Sequence, residues 1–284
     1  MIKGIDVSQY QGNIDFKKVK NAGIEFVMVR AGYDVTGEDS YYKQNVNNAI
    51  ANNLHVGLYW FMYFTDEVEA KNCADKFVRL ANLYKGKIDY PLVLDVEEET
   101  YKYFKKVGIN PTKKAITDLV KIFCKRVEEH GYYVMVYSNY NGFKNHMNSL
   151  KEFDKWIADL DGEPDKDIYG IWQYTWTGKV NGIKGDVDCD YSFNDYPTII
   201  RNAGLNFLDN KTETKPDKPK QYNETKFKVG DIVTVTEPYI YGTDKKFVRW
   251  FATYNIIEIS GDRAVIGRGK KITAPINIKY LRKL

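Results

Sequence analysis

Residues 91–100 read Pro91-Leu-Val-Leu-Asp-Val-Glu-Glu-Glu-Thr100, an apolar run that passes straight into four carboxylates. Side chains of a strand alternate between faces, so Val93, Asp95 and Glu97 point one way and Leu94 and Val96 the other. Asp95 and Glu97 then lie side by side, with Cα atoms about 6.6 Å apart. Two carboxylates held together cannot both ionise freely; one pKa rises, and a general acid becomes available. Glu98 and Glu99 run past the strand and are expected in solvent.

Around this stretch, strands and helices alternate. Strand candidates are Ile2–Asp6, Phe26–Ala31, Val56–Met62, Leu92–Glu97, Tyr133–Ser138, Lys155–Ala158, Gly170–Tyr174 and Val187–Tyr191. Helical spacing recurs in 66–84, through Ala70, Ala74, Phe77 and Ala81. It recurs again in 111–131, through Ile116, Leu119, Val120, Phe123 and Val127, with Pro111 in the first turn and Gly131 at the stop. Repeated βα units predict an α/β fold with a parallel sheet. Eight strands in roughly 200 residues favour barrel-like closure over an open doubly wound sheet.

In such barrels the C-terminal strand ends form the active face. The segment Ile2–Asp6 ends in an acid, and Asp186, Asp188 and Asp190 follow at period two near the last strand. If these strands and Leu92–Glu97 are all parallel, Asp6, Asp95, Glu97 and one later aspartate ring one pocket. A carboxylate-lined, aromatic-rich pocket suits glycoside hydrolysis. The 23 Tyr, 14 Phe and 5 Trp suit it too, since sugar rings stack on aromatic faces.

Other chemistries find no motif. His55, His130 and His146 form no HExxH, and there is no GxSxG, GxxxxGK[ST] or GxGxxG. The stretch from Asp186 starts like a calcium loop, but Tyr191 holds its glycine position and Pro197 its final glutamate. No cofactor and no metal is expected. Cys73, Cys124 and Cys189 are odd in number and far apart, which fits neither a disulfide framework nor a zinc site. The N-terminus has no apolar h-region and no apolar run reaches about 18 residues, so neither a leader nor membrane insertion is expected.

The chain divides at 208–221, LDNKTETKPDKPKQ, which reads as a linker. Residues 1–207 hold 26 basic and 29 acidic residues, a net charge of −3, and 222–284 hold 12 and 6, a net of +6. The basic part suits an anionic surface but carries no nucleic-acid motif, and nucleic acid is not an expected partner. Its alternating stretches, FKVGDIVTVT, Tyr254–Ile259 and Ala264–Gly267 around a turn at Ser260–Asp262, predict a small all-β barrel.

The motifs GIDVSQYQG, FVMVRAGYD, GLYWF, LVLDVE, VYSN, KWIA and IWQYTWTGKVNGIKGDVDCD follow one another within residues 2–200. In them the chain resembles glycoside hydrolase family 25, the lysozymes that cut peptidoglycan between N-acetylmuramic acid and N-acetylglucosamine. The chitinase-like pattern DxxDxDxE fits poorly, because Tyr90 and Val93 occupy its first positions. The resemblance implies a TIM-like (β/α) barrel in which Glu97 is the general acid. Asp95 would stabilise positive charge at the anomeric carbon or orient the substrate's N-acetyl group. Asp6 and Asp188 would tune that pair, and Arg30, Tyr33, Tyr59, Tyr137, Trp156 and Gln173 would bind substrate. Trp60 stands where related members have His, and Asp190 where many have Asn, a charge placed to shift the pH optimum.

The tail resembles the SH3-like wall-binding modules of phage endolysins. Tyr239, Tyr241, Trp250 and Tyr254 cluster around its predicted loops and are candidate wall contacts, with core of the small barrel as the alternative for Trp250 and Tyr254. Together with the missing leader, this implies an endolysin held in a host cytoplasm until a holin releases it to the cell wall. The rival expectation is a peptidoglycan-binding protein without turnover.

Overall fold

The computed structural model describes residues 1–162, 169–208, 227–243, 245–247, 253–260, 263–268 and 271–283. By its internal contacts the chain falls into two compact units, Met1–Thr212 and Glu213–Leu284. The expected linker lies almost wholly outside the described residues, as does Trp250.

The first unit carries strands β1 (Ile2–Val7), β2 (Phe26–Tyr33), β3 (Gly37–Glu38), β4 (His55–Phe61), β5 (Leu92–Asp95), β6 (Val134–Asn139), β7 (Asp154–Ala158), β8 (Ile171–Gly178) and β9 (Val187–Ser192). Eight of them run in the order β1-β9-β8-β7-β6-β5-β4-β2, and the sheet closes where β1 pairs with β2. β3 is a short antiparallel appendage on β2. Each expected strand is present, but one direction differs. β9 runs antiparallel to both β1 and β8. Only residues 179–186 join it to β8, and a parallel crossover needs about a dozen residues or more.

Helices α1 (Phe16–Asn21), α2 (Tyr42–Ala51), α3 (Glu67–Ala81), α4 (Glu98–Lys106) and α6 (Tyr196–Ala203) follow strands in the chain, and α5 (Lys113–Glu129) follows α4. Their ends are set by local chemistry. Asp66 Oδ1 accepts the Glu69 amide at 2.8 Å, and Thr112 Oγ1 accepts that of Ala115 at 3.1 Å. Each such cap is worth about 1 kcal/mol. The Thr112 cap starts α5 after Pro111 and not at it. Gly204 ends α6 at φ 68°, a left-handed conformation that favours glycine.

Two cores result. One lies between the sheet and the helices, where Val27, Leu58, Leu94 and Val136 meet Phe77, Val120 and Phe123. The other fills the barrel with Phe26, Met28, Tyr90, Val93, Met135 and Ile171. Phe26 stacks on Tyr90 at 4.6 Å between centroids. A Cβ on Gly4 would lie 2.2 Å from the Phe26 ring, so only glycine lets that ring cross the barrel.

The second unit holds β10 (Ile232–Val235), β11 (Tyr254–Ser260), β12 (Arg263–Arg268), β13 (Lys271–Asn277) and β14 (Leu281–Lys283), ordered β13-β12-β11-β10-β14 with antiparallel neighbours. Val233, Ile256, Ala264, Ile266 and Ile276 form its core.

Candidate active site

Period-two alternation carries the barrel filling up into chemistry. One step beyond Met28 on the same face comes Arg30; beyond Val93, Asp95; beyond Met135, Tyr137; beyond Ile171, Gln173; and beyond Gly4, Asp6. β9 runs the other way, so its first residues reach the same end and Asp188 stands directly opposite Asp6. The strand β5 stops at Asp95 and not at Glu97. Glu97 keeps an extended backbone, φ −122°, as the residue before α4, and its amide donates to Thr100 Oγ1 at 3.2 Å. Glu98 and Glu99 are exposed in the first turn of that helix.

Asp6, Asp95, Glu97, Asp188, Arg30, Tyr59, Tyr137, Trp156 and Gln173 line one cavity of about 200 Å³. A neighbouring cavity of about 390 Å³ shares Glu97, Tyr137, Gln173 and Asp188 and adds Asn139 and Trp176. Tyr33 backs Arg30 at 5.5 Å from Cζ to ring centroid and does not line either cavity.

Burial decides the protonation of these acids. Burial first, then Glu99 and Asp188, raise the Glu97 carboxyl to about 7 against the opposing Tyr137 hydroxyl and Arg30. Burial likewise raises Asp188 to about 6. Asp95 is driven well above the ordinary carboxylate range by burial and then by Glu97, with Arg30 opposing. Asp6 is raised by burial and then by Asp188 and Asp190.

Hydrogen bonds fix the neighbours. Tyr137 Oη donates to Gln173 Oε1 at 2.8 Å, Trp176 Nε1 donates to the same oxygen at 3.0 Å, and Gln173 Nε2 donates to Asp6 Oδ2 at 2.8 Å. Asp190, one step deeper on β9, accepts the Trp156 indole N–H at 2.8 Å. The Trp156 ring meets Tyr137 edge-on at 4.6 Å. Asp95 Oδ1 is buried and has no partner.

Asp39, Tyr10 and Trp176 escaped the sequence reading. Asp39 Oδ2 accepts Arg30 Nε at 2.8 Å and the Gln9 amide at 3.0 Å, and Oδ1 accepts the Tyr41 amide at 2.9 Å. It ties two loops to one cation. Asp39 lies in a stretch without periodicity. Tyr10 and Trp176 lie within the motifs GIDVSQYQG and IWQYTWTGKVNG, but nothing in spacing marks which aromatic faces a groove.

In the second unit, Tyr239, Tyr241, Asn277, Lys279 and Tyr280 line a cavity of about 880 Å³. Lys246 Nζ lies 4.9 Å from the Tyr239 ring centroid and Lys279 Nζ 4.8 Å from that of Tyr280. Tyr254 is different. It is 1 % exposed, packed in the core with Phe247, and so is not a surface contact. Its position at the start of β11 points it inward.

The model of the family described as Glycosyl hydrolases family 25 matches residues 5–183. A protein named autolytic lysozyme, from Clostridium acetobutylicum, is 31% identical over 193 residues, covering 66% of this chain and 55% of its own. The chain thus spans about half the length of that relative. A family 25 glycosyl hydrolase from Bacillus anthracis superposes with TM-score 0.60 at 26% identity, over 70% of this chain and 92% of that one. The CTP1L endolysin does so at 0.60 and 29%, over 72% and 70%.

Proposed function

Because this chain belongs to glycosyl hydrolase family 25, we propose that it is a peptidoglycan hydrolase, an N-acetylmuramidase that cuts the β-1,4 bond between N-acetylmuramic acid and N-acetylglucosamine. The observation that carries the reading is Glu97: a carboxyl lifted to about 7, facing a groove beside the more deeply buried Asp95. Near neutral pH Glu97 holds a proton, and it gives that proton to the leaving glycosidic oxygen. Positive charge then grows at the anomeric carbon. Asp95 either stabilises it or orients the N-acetyl oxygen that attacks from within the substrate. Asp6 and Asp188 set the field around the pair, and Gln173 holds Asp6. Tyr59, Tyr137 and Trp156 form the wall against which a sugar packs.

For the second unit we propose an SH3-like module that holds the wall without cutting it, through Tyr239, Tyr241 and Tyr280. Two wall-binding parts on one chain raise each other's effective concentration. The division at 208–221 is part of this reading, and limited proteolysis is expected to cut first between Leu208 and Tyr222. Likeness to an endolysin supports a phage enzyme that a holin releases from the host cytoplasm. No helix among the described residues is long and apolar enough to cross a membrane.

Reducing-end analysis of digested walls tests the central claim. New N-acetylmuramic acid ends are expected. Ends of N-acetylglucosamine would make the enzyme a glucosaminidase, and binding without new ends would make it a non-catalytic wall binder.

A further inference from the structure

Arg30 is the one cation lining the acid cavity among the described residues, and its guanidinium is held without freedom. Its Nε is spent on Asp39 at 2.8 Å, and Asp39 is itself locked by the Gln9 and Tyr41 amides. Two rings flank the guanidinium, Tyr10 at 4.9 Å and Tyr33 at 5.5 Å from centroid to Cζ. Arg30 is 8 % exposed, and its Nη2 is buried with no hydrogen-bond partner. A buried, charged donor left open is costly, and the side chain that carries it lines the cavity, where a substrate can bring the missing oxygen.

We infer that Arg30 is a specificity-determining residue that reads a neutral amide oxygen of the substrate, with Asp39 and Tyr10 as the residues that position it. The inference rests on the muramidase reading above. Neutrality follows from charge. Asp39 already balances Arg30, so no uncompensated positive charge is left to attract a carboxylate, and any of Asp6, Asp95, Glu97 and Asp188 that is ionised in the same cavity repels one. An amide carbonyl supplies lone pairs without charge. The wall polymer offers two kinds: the N-acetyl groups of its sugars and the lactyl amide from which its peptide hangs. Lysine cannot replace the arrangement, because a single ammonium paired with Asp39 has no second planar N–H to present.

The test measures kcat/KM by new reducing ends on three purified walls: native, chemically de-N-acetylated, and amidase-stripped so that the lactyl amide becomes a free carboxylate. The parent is expected to lose about tenfold or more on one stripped wall, and the amide read by Arg30 is the one missing from the wall on which the Arg30 variant loses little further. Arg30→Lys is expected to lose a similar factor on the native wall and little further on that stripped wall, since the same hydrogen bond is already gone. Tyr10→Ala alters a ring that is 79% exposed, so the fold is kept, and it is expected to shrink the parent's native-to-stripped ratio. A parent that cuts all three walls equally overturns the inference. So do variants that keep the parent's ratios. A parent that cuts no wall defeats the muramidase reading itself and is thereby distinguished from failure of Arg30.

Discussion

At the mouth of the barrel, Asp6, Asp95 and Asp190 are 6%, 4% and 1% exposed, whereas Glu237, Lys246 and Lys279 of the second unit lie in the open around Tyr239 and Tyr280. Both regions are rich in tyrosine and charge. They differ in what water does to that charge. Behind the Tyr59, Tyr137 and Trp156 rings, carboxylates lose hydration and hold protons into the neutral range, which is a catalytic property. In the second unit the ammonium groups stay hydrated over ring faces, where cation–π contacts are worth only about 0.5–1 kcal/mol. Such a surface suits the gripping role proposed for it better than proton transfer.

The largest effect that would break this contrast is on Glu97. Replacing it by Gln keeps the shape and removes the transferable proton, and wall lysis is expected to fall about 10²–10⁴-fold. Turbidity loss within tenfold of the parent would remove Glu97 from the reaction.

Next comes the alkaline limb. A required acid with pKa about 7 predicts that kcat/KM drops about tenfold per pH unit above that value. A profile flat to pH 9 would contradict the proton-holding role.

The same shift has a cost in stability, which sharpens the contrast. Glu97 titrates near 4.5 unfolded and about 7 folded, so the folded state keeps a proton that the unfolded chain releases. Stability therefore declines as pH rises from about 4.5 to 7 and stays lower above. Glu97→Gln escapes this decline and is expected to gain roughly 1–3 kcal/mol on the parent at pH 8 relative to pH 4. Asp188, raised from 3.8 to about 6, gives Asp188→Asn the same sign over a lower window. Urea titrations at both pH values measure the difference; an equal gain at pH 4 would assign it to packing instead.

The smallest effect belongs to the second unit. In the two-unit chain silenced by Glu97→Gln, Tyr280→Ala or Tyr239→Ala is expected to weaken wall pull-down a few-fold, about 0.5–1.5 kcal/mol. Binding by the parent should survive ~0.5 M salt, where the Debye length falls below ~5 Å. Loss of binding with salt and indifference to both tyrosines would leave only a cationic tether.

The eight strands of the barrel and the faces of Asp6, Asp95 and Asp188 are legible along the chain, because alternation along a strand is a local property that needs no partner. So is the placement of the paired acids where a strand ends. Tertiary structure alone decided the rest. Asp188 reaches the active end because a short connection forces β9 to run backwards, which the acid spacing does not encode. The bond from Gln173 to Asp6 spans 167 residues, and closure of the barrel sets it. Tyr254, which the sequence leaves open between wall contact and core, is core, since one residue of register turns a strand side chain inside out. Asp39, Tyr10 and Trp176 were invisible for a related reason: a loop has no period, so which of its side chains meets a distant groove is settled only when distant strands are brought side by side.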